Sequence, residues 1–158
     1  MPAVLHLLHG LPGSGKTTYA AKLAAECRAP VFSPDDWMIA RHGSNPPAAD
    51  FARYKAAIDT EIWQQTDALL QQGKDVIHDS GLWTRTERDI ARQRAADAKA
   101  LTRLYSFEAD ESAMLQRVLQ RSAANPDSAL QINEAAFRLF KTRFEPLGPD
   151  ETHVTIRT

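Results

Sequence analysis

The stretch AVLHLLHGLPGSGKTT, residues 3–18, decides the fold: an apolar run, a glycine-rich turn, then a lysine and two threonines. An apolar segment bounded by a turn reads as a buried strand, and the residues after Gly15 read as a helix running to about Cys27. The spacing Gly10, Gly15, Lys16, Thr17 is that of a phosphate-binding loop, with the strand before and the helix after that such a loop requires. Glycines at 10, 13 and 15 let backbone N–H groups turn inward on the β- and γ-phosphates with no Cβ in the way. The helix adds its positive N-terminal end. Lys16 supplies a point charge between those phosphates, and the Thr17 hydroxyl is placed for Mg²⁺. Pro12, Ser14 and Thr18 complete the nucleotide-binding stretch. His6 and His9, within the strand, read as packing or hydrogen-bonding residues.

Outward from this loop, short apolar runs alternate with longer helical stretches, the pattern of an α/β domain with a mainly parallel sheet. Strands are expected at 30–33, 75–79, 100–107 and 152–157. Helices are expected at 35–41, from a cap at Asp50 through Leu69, and at 84–98, 111–122 and 133–144. Pro46 and Pro47 break the chain between the second and third helices. At 158 residues, 43% hydrophobic and 25% charged, the chain reads as one domain spanning 1–158. A net charge of −1, with 19 Lys and Arg spread along the chain, provides no strong basic field for nucleic acid or an anionic membrane. The only cysteine, Cys27, has no partner for an internal disulfide, which fits a reducing compartment. No leader pattern or membrane-length apolar run is present, so a cytoplasmic protein is expected.

Ligands of open α/β sheets gather at the carboxyl ends of the strands. Two of these ends are acidic, VFSPDD and VIHD. Asp79 stands where a carboxylate would join Thr17 in holding Mg²⁺. Asp35 or Asp36 would face the γ-phosphate and take the proton of an attacking hydroxyl, although both are also placed to cap the helix after Pro34. Phosphoryl transfer spreads negative charge over equatorial oxygens, which calls for cations. Arg117 and Arg121, one turn apart before the loop SAANPDSA, are placed to reach the nucleotide. Arg85 and Arg88 suit a substrate anion or a lock on the site, and Arg41 lies on the presumed substrate side. Trp37 and Trp83, beside the acidic motifs, are candidates to line the substrate pocket, ahead of Phe51, Tyr54 and Trp63.

The segments GLPGSGKTT, SPDDW, VIHDSGLWTRTER, MLQRVLQRS and RFEPLGPDE together resemble kinase-like P-loop ATPases. That group includes the 5′-hydroxyl polynucleotide kinases and, more distantly, zeta-toxin and chloramphenicol phosphotransferase proteins. The resemblance is closest to small bacterial stand-alone ATP-binding proteins of unassigned substrate. It implies a five-stranded parallel sheet of order 2-3-1-4-5 with helices on both faces, and a lid over ATP at about 117–132. It also places an Asp general base at Asp35, with Asp36 secondary, and the lid arginine at Arg121, then Arg117. Two positions depart from the polynucleotide kinases: Asp79-Ser80-Gly81 replaces Asp-x-Asn, and Arg121-Ser122 replaces Arg-Asn.

The leading reading is Mg²⁺-assisted phosphoryl transfer from ATP to a hydroxyl of a small molecule, with a helical substrate flap at about 37–72. Lys16, Asp35 and Arg121 would be the catalytic residues. A 5′-hydroxyl polynucleotide kinase ranks second, since nucleic acid needs a basic groove. A nucleotide-dependent regulatory ATPase that binds a protein ranks third, because the chain lacks the Asn-Lys-x-Asp segment of a GTPase switch. A monomer or weak dimer is expected.

Overall fold

A computed structural model describes residues 2–158; the first residue of the expected 1–158 domain lies outside them. The first strand, β1 (Val4–His9), is buried on both sides: Leu5, Leu7 and Leu8 have no solvent contact. Double burial is what a parallel sheet covered by crossover helices demands. The chain then runs α1 (Lys16–Cys27), β2 (Val31–Phe32), α2 (Pro34–His42), α3 (Ala48–Gln71) and β3 (Val76–Gly81). It continues through α4 (Arg85–Asp97), β4 (Leu101–Glu108), α5 (Glu111–Ala124), α6 (Glu134–Arg143) and β5 (Val154–Arg157). All strand pairs are parallel, in the order β2-β3-β1-β4-β5. This is the P-loop kinase fold.

Alternation along β1 divides the core. Leu5 and Leu7 pack on one face with Ile58, Ile62 and Leu70 of α3 and Ala91 and Ala95 of α4. Leu8 packs on the other with Ala20 and Leu23 of α1, Tyr105 and Phe107. A third cluster, Leu11, Met114, Val118, Ile132 and Phe137, fastens α5 and α6 beside the phosphate loop. The buried residues of α3 (Ile58, Ile62, Thr66, Leu70) recur every fourth position, a stripe along one face of the longest helix. Among the described residues no helix is long and apolar enough to cross a membrane.

Helix starts are set by side-chain caps. Ser33, Thr84, Asp110 and Asn133 each accept a hydrogen bond from the N–H three residues on, each worth about 1 kcal/mol. Ser33 therefore caps α2, with Pro34 as its first residue, and neither Asp35 nor Asp36 is occupied by that role. The expected cap at Asp50 is corrected: α3 begins two residues earlier, straight after Pro47, and Asp50 lies in its first turn paired with Arg53. The fixed φ of Pro47 positions that start without a side-chain cap.

Arg88 is the largest side chain with no solvent contact. Its guanidinium forms a two-pronged pair with Glu151, at 2.8 and 3.1 Å, and donates to the carbonyls of Leu82, Trp83, Glu145 and Pro146. Every donor is used, so the reading of Arg88 as a contact for a substrate anion is corrected: it locks the C-terminal segment onto β3 and α4. Arg85 is likewise drawn off, to Asp89 and Asp150. This lock sends the chain after α6 back across the sheet to add β5 at the edge.

Candidate active site

The loop between β1 and α1 is held open by its glycines. Gly13 and Gly15 have φ of +80° and +96°, values that strain any side chain. A Cβ at Gly13 would run into the Met114 carbonyl, and one at Gly10 would sit 2.7 Å from Ser14 Oγ. The loop thus forms a cradle that side chains would fill, which fits a bound phosphate chain. Lys16 Nζ donates to the Leu11 carbonyl at 2.9 Å, curling its ammonium back over the loop. Arg117 braces the cradle from outside, donating to the Gly13 carbonyl at 3.1 Å and to Thr158 Oγ1 at 3.3 Å.

At the cradle's mouth Thr17 Oγ1 donates to Asp79 Oδ2 at 2.8 Å. A hydroxyl oxygen and a carboxylate oxygen side by side are the hard donors that Mg²⁺ prefers, so these residues fit that ion. Asp79 is buried within β3, which runs on to Gly81, two residues past the strand end expected from the sequence; Gly81, with φ +79°, lets the next turn approach Gly10. There Gly10 N–H donates to the Gly81 carbonyl, and the Trp83 indole N–H donates to the Gly10 carbonyl at 3.1 Å. Trp83 also leans on Phe140. Its expected place in a substrate pocket is therefore corrected to a brace on the phosphate loop.

Asp35 and Asp36 open α2 beside these groups. Crowding by protein raises the pKa of Asp35; the Lys16 and Arg121 cations pull against this, while Asp79 and Asp36 add to it. Asp36 is raised by the same loss of solvent and by Asp79. Lys16 is lowered by desolvation, opposed by Asp79 and Asp35. Lys16 and Asp35 thus each feel the other's charge and those of Asp79 and Arg121. Arg121 reaches it from the exposed end of α5. Trp37 packs edge-on to Phe32 and carries the Arg41 guanidinium 4.8 Å above its ring, while Arg41 pairs with Glu61 at 2.7 Å.

The segment after α5 folds back by way of Ser122. Its Oγ accepts from Ile132 N–H at 3.1 Å and lies 3.4 Å from the Leu130 carbonyl. The serine in place of an asparagine thus braces its own loop. The loop also touches the α2–α3 connection: Ser44 Oγ donates to the Pro126 carbonyl at 2.6 Å, and Gln131 N–H donates to the Ser44 carbonyl.

Beside Asp35 and Asp79 lies a cavity of about 230 Å³, between α3, α4 and the ends of β2 and β3. Pro34 and Ser80, their chain neighbours, reach it; Trp63, Lys55 and Asp59 of α3 and Glu87 of α4 line it. Lys55 is paired with Asp59 at 2.5 Å. His78, in its wall, is fully buried; loss of solvent pushes its pKa down to about 3, and its Nε2 meets Thr66 Oγ1 at 2.7 Å. Lys55, Asp59 and Glu87 were absent from the sequence-derived candidates. Lys55, Asp59 and Trp63 do recur at helical spacing, but the spacing alone reads as a core stripe with a solvated flank.

The family described as AAA domain matches residues 5–147. No curated protein matches the chain. Among solved structures, a candidate kinase from Chloroflexus aurantiacus is 21% identical with a TM-score of 0.78, over 99% of this chain and 88% of that one. Kti12 of Chaetomium thermophilum, in complex with ADP-AlF3, is 17% identical at a TM-score of 0.74, over 97% and 88%. A gluconokinase from Sinorhizobium meliloti is 15% identical at a TM-score of 0.63, over 99% and 82%. At these identities the likeness speaks for the fold.

Proposed function

The chain belongs to the AAA domain family, and from that premise we propose that it transfers the γ-phosphoryl group of ATP to a hydroxyl of a small molecule. The observation that carries this reading is that Asp35 opens α2 within the fields of Lys16, Asp79 and Arg121, while its neighbour Pro34 lines a cavity. A nucleotide switch needs the phosphate cradle and its metal-binding pair but no further carboxylate beside them to take an acceptor's proton.

In this reading the loop amides and Lys16 hold the phosphates, and Thr17 and Asp79 are the residues that would hold a Mg²⁺, which would neutralise phosphate charge. Asp35 accepts the acceptor's proton as its oxygen bonds to the γ-phosphorus and the bond to the ADP oxygen breaks. Arg121 steadies the migrating group's charge from the lid. Ser122 and Ser44 hold the lid loop against the flap and limit water's access. The cavity suits a compact acceptor. Its charge is weighted to acid, since Asp59 already engages Lys55 and Glu87 stands apart. With Arg85 and Arg88 both committed elsewhere, neutral or amine-bearing alcohols are favoured over phosphate- or carboxylate-bearing ones, and nucleic acid is disfavoured.

The test is ADP release from γ-labelled ATP against panels of sugars, nucleosides, amino alcohols and 5′-hydroxyl oligonucleotides. A small neutral or cationic alcohol should stimulate ADP release and carry the label away. Labelling of oligonucleotides alone would replace this reading with the polynucleotide one. With the acceptor in hand, Asp35→Asn should slow transfer by about 10²-fold or more. It should also remove the acid limb of the pH–rate profile. Because a base works only when deprotonated and Asp35 is raised, that limb should lie above the ordinary carboxylate range. Undiminished transfer by Asp35→Asn would reassign the base to Asp36.

A further inference from the structure

Away from the phosphate loop, three side chains from separate elements converge: His6 of β1, Cys27 at the end of α1, and Asp75 just before β3. The helix that separates Cys27 from the loop is 12 residues long, or about 18 Å at 1.5 Å per residue. We propose that His6, Cys27 and Asp75 form a second metal site, for a divalent transition-metal ion of the Zn²⁺ class. One ligand atom from each residue lies within 4.8 Å of the others. Small side-chain adjustments bring such atoms onto one ion.

The pointer to a ligand is the histidine. His6 is 3% exposed, and its Nε2 is buried without a hydrogen-bond partner. The nearest charged atom, Asp75 Oδ2, stands 3.5 Å away, too far for a good hydrogen bond. A buried, unsatisfied ring nitrogen is costly and calls for an occupant. The other atoms of both residues are already fixed. His6 Nδ1 lies 3.0 Å from the Tyr105 hydroxyl, and Asp75 Oδ1 accepts from Val4 N–H at 2.9 Å. Each side chain is thus held by one atom and presents the other to the gap, the usual support behind a metal ligand.

The donor set identifies the ion. A nitrogen, a sulfur and a carboxylate oxygen suit Zn²⁺ and its neighbours, whereas Mg²⁺ takes oxygen alone. Thiolate and carboxylate together carry the two negative charges that balance a dication. Cys27 is only half-buried, which leaves the group an entry path from solvent. A bound ion would staple the end of α1 to β1 and to the start of β3. His6, expected to pack in the strand, acquires a ligand's role.

The test uses full-length protein stripped with chelator and titrated with Co²⁺, then Zn²⁺. One equivalent of Co²⁺ should give a thiolate-to-metal absorption band that Zn²⁺ displaces. Cys27→Ser should lose the band, and Tyr105→Phe should weaken Co²⁺ binding about 10-fold or more. Asp79→Asn, altered at the phosphate loop, should keep it. Zn²⁺ should also shield Cys27 from alkylation in the unmodified protein, a readout that needs no variant. Absence of the band, its survival in Cys27→Ser, its loss in Asp79→Asn, or unchanged alkylation would each overturn the site.

Discussion

Lys16→Ala is expected to reduce nucleotide-dependent turnover by about 10³-fold or more, the scale seen when a phosphoryl-transfer site loses a cation that stabilises the transition state. The residue is half-buried, and its ammonium donates to the Leu11 carbonyl. It is therefore parked over the cradle and must move only a short way to meet phosphate oxygens. Asp79 and Asp35 hold its charge in place while desolvation works against it. Without it, two neighbouring carboxylates would repel the phosphates with nothing but backbone dipoles to compensate. Alanine is a good residue for the first helical position, so the fold should persist. Lys16→Arg should not rescue turnover, because a planar fork cannot replace a compact ammonium in so tight a loop. Binding of a fluorescent ATP analogue and ADP release measure the two effects, and an unchanged melting curve separates them from unfolding. Normal turnover in Lys16→Ala would remove the phosphate-loop assignment and every role derived from it.

How far such roles can be read from sequence depends on the distance over which each residue's partner lies. The strand, loop and first helix were legible because their chemistry is local: an apolar run, then three glycines and a lysine between positions 10 and 16. Caps are local too, and VFSPDD marked a helix start correctly even though Ser33, not an aspartate, proves to be the cap. For Arg88 the sequence left two readings open, a substrate contact or a lock, and could not name the lock's partner. The residue sits in a segment full of charge beside Asp79, and its partner Glu151 is 63 positions away. Trp83 was misplaced for the same reason, since its indole reaches Gly10 across 73 positions. The cavity failed differently. Helical spacing finds a stripe on α3, but which of Ile58, Asp59, Ile62 and Trp63 faces core or cleft follows from how α3 lies against β3 and α4. His6 offered no local sign at all, because an unsatisfied nitrogen exists only once the fold has closed around it.

Arg88→Ala is the substitution with the largest expected effect on stability. It would leave Glu151, 5% exposed, as a buried carboxylate stripped of its main partner, and would take a donor from the carbonyls of Glu145 and Pro146, while those of Leu82 and Trp83 keep His9 Nδ1 and Glu145 N–H. Breaking a buried pair by removing one member costs about 3–5 kcal/mol, a large share of the roughly 5–15 kcal/mol that holds a domain folded. A fall in melting temperature of roughly 10 °C should accompany it. Since much of the loss comes from the orphaned charge, Arg88→Met with Glu151→Leu should recover part of it. The pair also sets the acid limit. Burial alone would raise the Glu151 pKa, but hydrogen bonds from Arg88, Gly148 N–H and Arg92 outweigh it and hold the group at about 2, against 4.5 unfolded. A depressed pKa means that the stabilisation is complete above about pH 4.5 and is lost as pH falls towards 2. Denaturant unfolding of the wild type and Arg88→Ala at pH 7 and pH 3 measures both effects. The gap between them should narrow at the lower pH. A substrate-binding Arg88 would behave otherwise, with KM for the acceptor rising while the unfolding midpoint stayed fixed. That result would return Arg88 to the active site and leave the C-terminal segment without its lock.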